Sequence, residues 1–152
     1  IFTVASLAIL AATSGVIARA QIAEGPTKSP APPFVCTNET LNGRFATRGS
    51  GIVPANPMDP TSALIPFANV SLMTFGGDGT LTNSSTNSAN GTIILGTAVG
   101  TYELNSDCSG TLTLGALPGV LTFNIVVAER GTAFYMISTN RSVVTVEGKR
   151  VQ

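Results

Sequence analysis

The stretch 100–114, GTYELNSDCSGTLTL, constrains the fold more than any other part of the chain. Thr101-Tyr102-Glu103-Leu104 alternates polar and apolar residues, and Thr111-Leu112-Thr113-Leu114 does so again. Asn105-Ser106-Asp107 lies between them, three residues whose side chains bond the nearby backbone and so favour turns. Together these are the signature of a β-hairpin. Cys108 falls at the turn and is one of only two cysteines. The hairpin is therefore also a candidate anchor for a covalent cross-link.

The same grammar continues on both sides. The pattern predicts strands over 41–48, 65–75, 79–82, 91–96, 98–104, 110–115, 120–129, 132–139 and 143–151. Between them lie 51–61 with Pro54, Pro57 and Pro60, then Gly76-Gly77-Asp78, the polar stretch 83–90, Pro118-Gly119, Arg130-Gly131 and Asn140-Arg141. Each is turn chemistry: Gly for positive φ, Asn and Asp for local bonds, Pro for a fixed φ. No segment after residue 20 repeats apolar residues at helical spacing over a helical length. The stretch 120–129 carries apolar residues on both faces, which reads as a well-covered strand. Many short strands with tight turns mean a sandwich or a closed barrel. The links are too short to cross a sheet, which favours up-and-down order, and closure removes exposed edges. The expected fold is all-β: an antiparallel up-and-down β-barrel of about eight strands, preceded by an apolar signal helix.

Residues 1–18, IFTVASLAILAATSGVIA, are apolar or small, and Ala18-Arg19-Ala20 is a small-x-small pattern of the kind signal peptidase accepts. Residues 1–20 therefore read as a secretory signal that starts a few residues upstream of Ile1; an uncleaved membrane anchor is the rival reading. Residues 21–35 form a Pro-rich linker, with Gly25-Pro26 and Pro30-Ala31-Pro32-Pro33 as breakers. Residues 36–152 form the barrel domain. The expected location is secreted or periplasmic, with no stable membrane anchor after cleavage. In that compartment an even pair of cysteines pairs by default, so Cys36 and Cys108 are expected to form a disulfide.

Composition narrows the function classes. Charged residues make up 11% of the chain and the formal net charge is zero. Such a chain has no basic field to hold nucleic acid. Lys149-Arg150 is the only basic dipeptide and reads as a solvated strand end. Histidine is absent, which removes the commonest general base and the usual hydrolase triads. Two distant thiols without histidine fall short of a zinc set. No metal, cofactor or catalytic residue is assigned.

The pattern Cys36–x6–Gly43-Arg44-Phe45, then Phe75-Gly-Gly-Asp78-Gly79-Thr-Leu, then Gly100-Thr-Tyr102–x4–Asp107-Cys108–x–Gly110-Thr, resembles a group of small exported bacterial proteins of unassigned activity. That group is regarded as calycin-like, similar in outline to the allene oxide cyclase and lipocalin barrels. The resemblance runs from Cys36 to the end of the chain. It implies a barrel and no catalytic residue. The Asn-x-Ser/Thr sequons at Asn38, Asn69, Asn83, Asn90 and Asn140 then read as products of a Ser/Thr-rich composition rather than glycosylation sites. The low-complexity stretch 82–92 reads as a mobile hairpin tip, or as a rim loop at a barrel mouth.

Two functions of different class follow. In the first, the barrel binds a small apolar ligand, lined by candidates Phe45, Phe67, Leu72, Phe75, Ile94, Phe123, Phe134 and Met136; spacing does not separate lining from filling. In the second, the interior is packed and the chain is a structural or surface-interaction domain. A third, a barrel enzyme, needs an inward carboxylate and a tyrosine. Its candidates are Glu39, Asp59, Asp78, Glu103, Asp107, Glu129 and Glu147, with Tyr102 and Tyr135. A turn role for Asp78 and Asp107 is the ordinary explanation. A connected interior pocket of several hundred Å³ separates the first reading from the second.

Overall fold

Strand follows strand along the chain, and each pairs antiparallel with the next. A computed structural model describes residues 33–116 and 119–152. The strands are β1 (Gly43–Pro54), β2 (Leu64–Phe75), β3 (Thr80–Ala89), β4 (Thr92–Leu104), β5 (Ser109–Ala116), β6 (Gly119–Ala128), β7 (Ala133–Ser138) and β8 (Val143–Arg150). β8 pairs back onto β1, from Phe45↔Arg150 to Ile52↔Val143, and closes an eight-stranded up-and-down barrel. The expected signal (1–20) and nearly all of the linker lie outside the described residues.

Three strand expectations are corrected. The polar stretch 83–90 is not a loop, because Asn83–Ala89 belong to β3 and pair with β2 and β4. The turn is only Asn90-Gly91, with φ of 47° and 85°, an Asn-Gly hairpin turn with both residues left-handed. The expected strands 91–96 and 98–104 are one strand, β4. β1 runs on through Gly51 to Pro54 and shortens the expected 51–61 loop. The hairpin around Cys108 is confirmed, with Leu104↔Gly110 as its last pair.

One end of the barrel is packed solid. Phe45, Phe75 and Phe134 are fully buried and meet with ring centroids 5.3–5.6 Å apart. Tyr102 stands edge-on to Phe75 at 5.0 Å. Gly148 makes room: a Cβ there would run into the Phe134 ring. The short 3-10 turn Asn38–Leu41 closes this end with the fully buried Leu41. Tyr102 Oη donates to Asn38 O (2.8 Å) and accepts from Gly77 N–H (3.1 Å). Burial pushes that phenol above its ordinary value of 10.0.

Two further devices hold the closure. Cys36 and Cys108 form the disulfide that compartment and parity predict. Arg150 is not a solvated strand end: its guanidinium donates to Asn42 O, to Thr40 O (3.1 Å) and to Gly131 O (2.9 Å), and lies 4.7 Å from the Phe45 ring centre. Around the same end, Asp78 Oδ1 accepts from Thr80 Oγ1 (2.7 Å) and N–H (2.9 Å), and Asp107 Oδ1 accepts from Ser109 Oγ (2.6 Å) and N–H (2.9 Å). Asp59 repeats the motif with Thr61 at the opposite end. These hydroxyl and amide donors hold all three carboxyls below the ordinary value of 3.8.

Candidate functional site

Side chains alternate across the sheet, so every second residue of each strand faces inward. On β1–β4 the inward positions line up in three rungs above the aromatic end. The first is Phe45–Met73–Asn83–Ala98, the second Thr47–Ser71–Ser85–Gly96, the third Gly49–Asn69–Asn87–Ile94. Aromatics give way to amides, hydroxyls and residues with little or no side chain. Across the barrel, the inward positions of β5–β8 that border the cavity are Leu114, Leu121, Phe123, Met136, Val144 and Val146, apolar throughout, and then Ser138, which joins Ser142 near the mouth.

Large residues at the closed end and small ones above it leave a cavity of about 910 Å³. It extends from mid-barrel toward the end that carries the β1–β2, β3–β4 and β7–β8 connections. Ile94, on the inward register of β4, is half exposed, so this end is open to solvent. Two features make the room. Gly96 and Ala98 put almost no volume into the barrel, and Gly49 leaves the space that Asn69 Oδ1 fills.

The polar wall is partly self-satisfied. Thr47 Oγ1 and Ser71 Oγ share a hydrogen bond of 2.5 Å. Asn87 Nδ2 donates to Ser85 Oγ (3.0 Å) and Ile94 O (3.3 Å). Near the mouth, Ser138 Oγ donates to Ser142 O (2.6 Å) and accepts from Val144 N–H (2.9 Å). Asn69 Oδ1 and Asn83 Oδ1 are buried and have no hydrogen-bond partner among the described residues. Leaving such a group unpaired costs about 1–3 kcal/mol, so each calls for an explanation.

The eight lining candidates divide. Phe67, Ile94, Phe123 and Met136 lie on inward positions that border the cavity. Leu72 borders it from the outward register of β2, between inward Ser71 and Met73. Phe45, Phe75 and Phe134 belong to the packed end and are absent from the cavity wall. Sequence reasoning missed Asn69, Ser71, Asn83, Ser85 and Asn87. The signal was present: Asn83, Ser85 and Asn87 recur at a period of two and run into an Asn-Gly turn.

No charged side chain borders the cavity. Asp59, Asp78, Asp107, Glu103 and Glu129 are on turns or the outer surface, and Glu147 pairs with Arg48 outside at 2.8 Å. Glu39 accepts from Asn42 Nδ2 (2.8 Å). Tyr102 is engaged at the closed end, and Tyr135 faces out, half exposed. A carboxylate–tyrosine pair does not converge in the barrel among the described residues, nor do three metal-ligating side chains cluster there. A shallower hollow of about 640 Å³ lies on the outer surface beside Val126, Tyr135 and Ile137. Comparison with known protein families, curated proteins and solved structures gives no match.

Proposed function

We propose that this chain is an exported binding protein that holds a small, largely apolar molecule inside its barrel. The observation that carries the reading is the interior cavity of about 910 Å³ with a largely apolar wall from β5–β8. Its size falls within the roughly 300–1,000 Å³ range of small-molecule sites, and such sites combine an apolar lining with a few polar groups. The disulfide supports export to an oxidising compartment, secreted or periplasmic. The resemblance to exported calycin-like barrels belongs to the same proposal.

One observation favours the surface-interaction alternative: Ile93, Leu95 and Val99 on the outward face of β4 are 63%, 78% and 69% exposed. Native mass spectrometry of the protein purified from its own host separates the two. The binding reading expects a stoichiometric mass increment that organic extraction removes. Retention of a partner protein, with no small-molecule increment and no uptake of apolar probes, overturns it.

A further inference from the structure

Resting on the binding reading, we infer that the cavity is built for a neutral, rigid molecule with hydrogen-bonding groups along one flank, not for a head-to-tail amphiphile. The polarity of the cavity is divided lengthwise, apart from Ser138 and Ser142 near the mouth, where the Ser138 hydroxyl is already engaged by Ser142 O and Val144 N–H. Amides and hydroxyls of β2 and β3 occupy one side over three successive rungs, from Asn69 and Asn87 through Ser71 and Ser85 to Asn83. Four residues separate the outer rungs, which at about 3.4 Å per residue is roughly 14 Å along the strand. A lipid with one polar head and an apolar tail would lay its tail against that ladder. A molecule polar along one edge and apolar along the other matches both walls at once.

Two observations sharpen the chemistry. Asn69 Oδ1 and Asn83 Oδ1, from neighbouring strands and different rungs, lack a protein partner. Amides so placed favour a molecule that brings its own hydroxyl or amide groups, because rotation of the side chain offers either a donor or an acceptor. The lining also carries no charged residue. An ion on the polar flank would lose its hydration without gaining a counter-charge, so the flank is matched to neutral groups.

The experiment measures the affinity of the full chain for four probes. They are a neutral steroid with several hydroxyls on one ring face, the same skeleton with a single hydroxyl, the polyhydroxy steroid sulfated at a ring hydroxyl, and a neutral monoacylglycerol. We expect the polyhydroxy steroid to bind at least tenfold more tightly than each of the others. The double variant Asn69→Leu/Asn83→Leu should reduce its affinity at least tenfold and reduce that of the monohydroxy steroid by a smaller factor, if at all; an equal loss for both overturns the pairing of these amides with the extra hydroxyls. Equal affinity for the monoacylglycerol or the monohydroxy steroid overturns the lengthwise matching, and equal affinity for the sulfate overturns the neutrality. Failure of all four to bind overturns the binding reading itself. If the double variant does not fold, as judged by circular dichroism, the four-probe series on the natural chain decides alone.

Discussion

Breaking the Cys36–Cys108 cross-link should lower the melting temperature by roughly 15 °C and leave the binding end intact. The bond joins residues 72 apart in sequence. In the chain-entropy model a loop of that size restricts the unfolded chain by about 15 cal/mol/K, or about 4.4 kcal/mol at room temperature. A folded unit of about 120 residues has an unfolding entropy near 250 cal/mol/K at its midpoint. The ratio gives a shift of about 18 °C, an upper figure because residual structure in the unfolded chain reduces it. The assay is thermal circular dichroism of the oxidised protein, the same protein under reductant, and the variant C36A/C108A. Reduction keeps both side chains, so it isolates the cross-link from the loss of the buried Cys36. The guanidinium m-value should rise on reduction, since a chain without the bond exposes more surface when unfolded. A shift below about 5 °C with an unchanged m-value would refute the reasoning, and would mean that the unfolded chain keeps enough residual structure to hold the two segments together without the bond.

Acid should weaken the fold through its aspartate turns. The carboxyls of Asp59, Asp78 and Asp107 are held below 3.8. Their contribution is therefore present above that value and is lost as pH falls through the lower folded-state values. Melting temperature followed from pH 6 to pH 2 should begin to drop below about pH 4, and the triple Asp→Asn variant should flatten the drop; an unchanged slope rules the turns out. Phe134→Ala removes the ring shared by Phe45 and Phe75 and should cost about 3–5 kcal/mol in denaturant unfolding. A loss under 1 kcal/mol would mean that this end is loosely packed. At Gly96 an added Cβ would stand 3.4 Å from Ser85 Oγ and 3.6 Å from Asn87 Nδ2, so Gly96→Phe should fold, intrude on the cavity and weaken ligand binding at least tenfold by titration calorimetry. Unchanged affinity in the folded variant would place the ligand elsewhere.

Much of the architecture was legible because turn and strand chemistry agree along this chain. Asp78-Gly79-Thr80 and Asp107-Cys108-Ser109 announce their turns, and the alternation of Leu112, Leu114, Phe123 and Ile125 announces inward faces. Beyond Thr82, where the expected strand 79–82 stops, β3 was illegible for a physical reason. A strand is recognised by one apolar face, and β3 has hydroxyls outside (Ser84, Thr86, Ser88) and amides or hydroxyls inside (Asn83, Ser85, Asn87). Its pairing is specified by its neighbours and the Asn90-Gly91 turn, not by burial. The same polarity hid the site, since a search for apolar lining finds Phe67, Phe123 and Met136 and passes over the opposite wall. Nor does spacing tell a ring that fills a barrel from one that borders a cavity. Phe45 and Phe67 look alike in sequence, and only the crowding of Phe45, Phe75 and Phe134 around Gly148 sends one to the core and leaves the other at the cavity wall.

Amide shift mapping by NMR, titrating the neutral polyhydroxy steroid into isotope-labelled protein, tests the central claim most directly. Binding inside the barrel predicts saturable shifts on both walls, at Asn69, Asn87 and Gly96 and at Leu121, Phe123 and Val144, with the closed end around Phe75 and Gly148 silent. Shifts confined to the outward residues Leu95, Val99 and Ile137, or none at all, would contradict it.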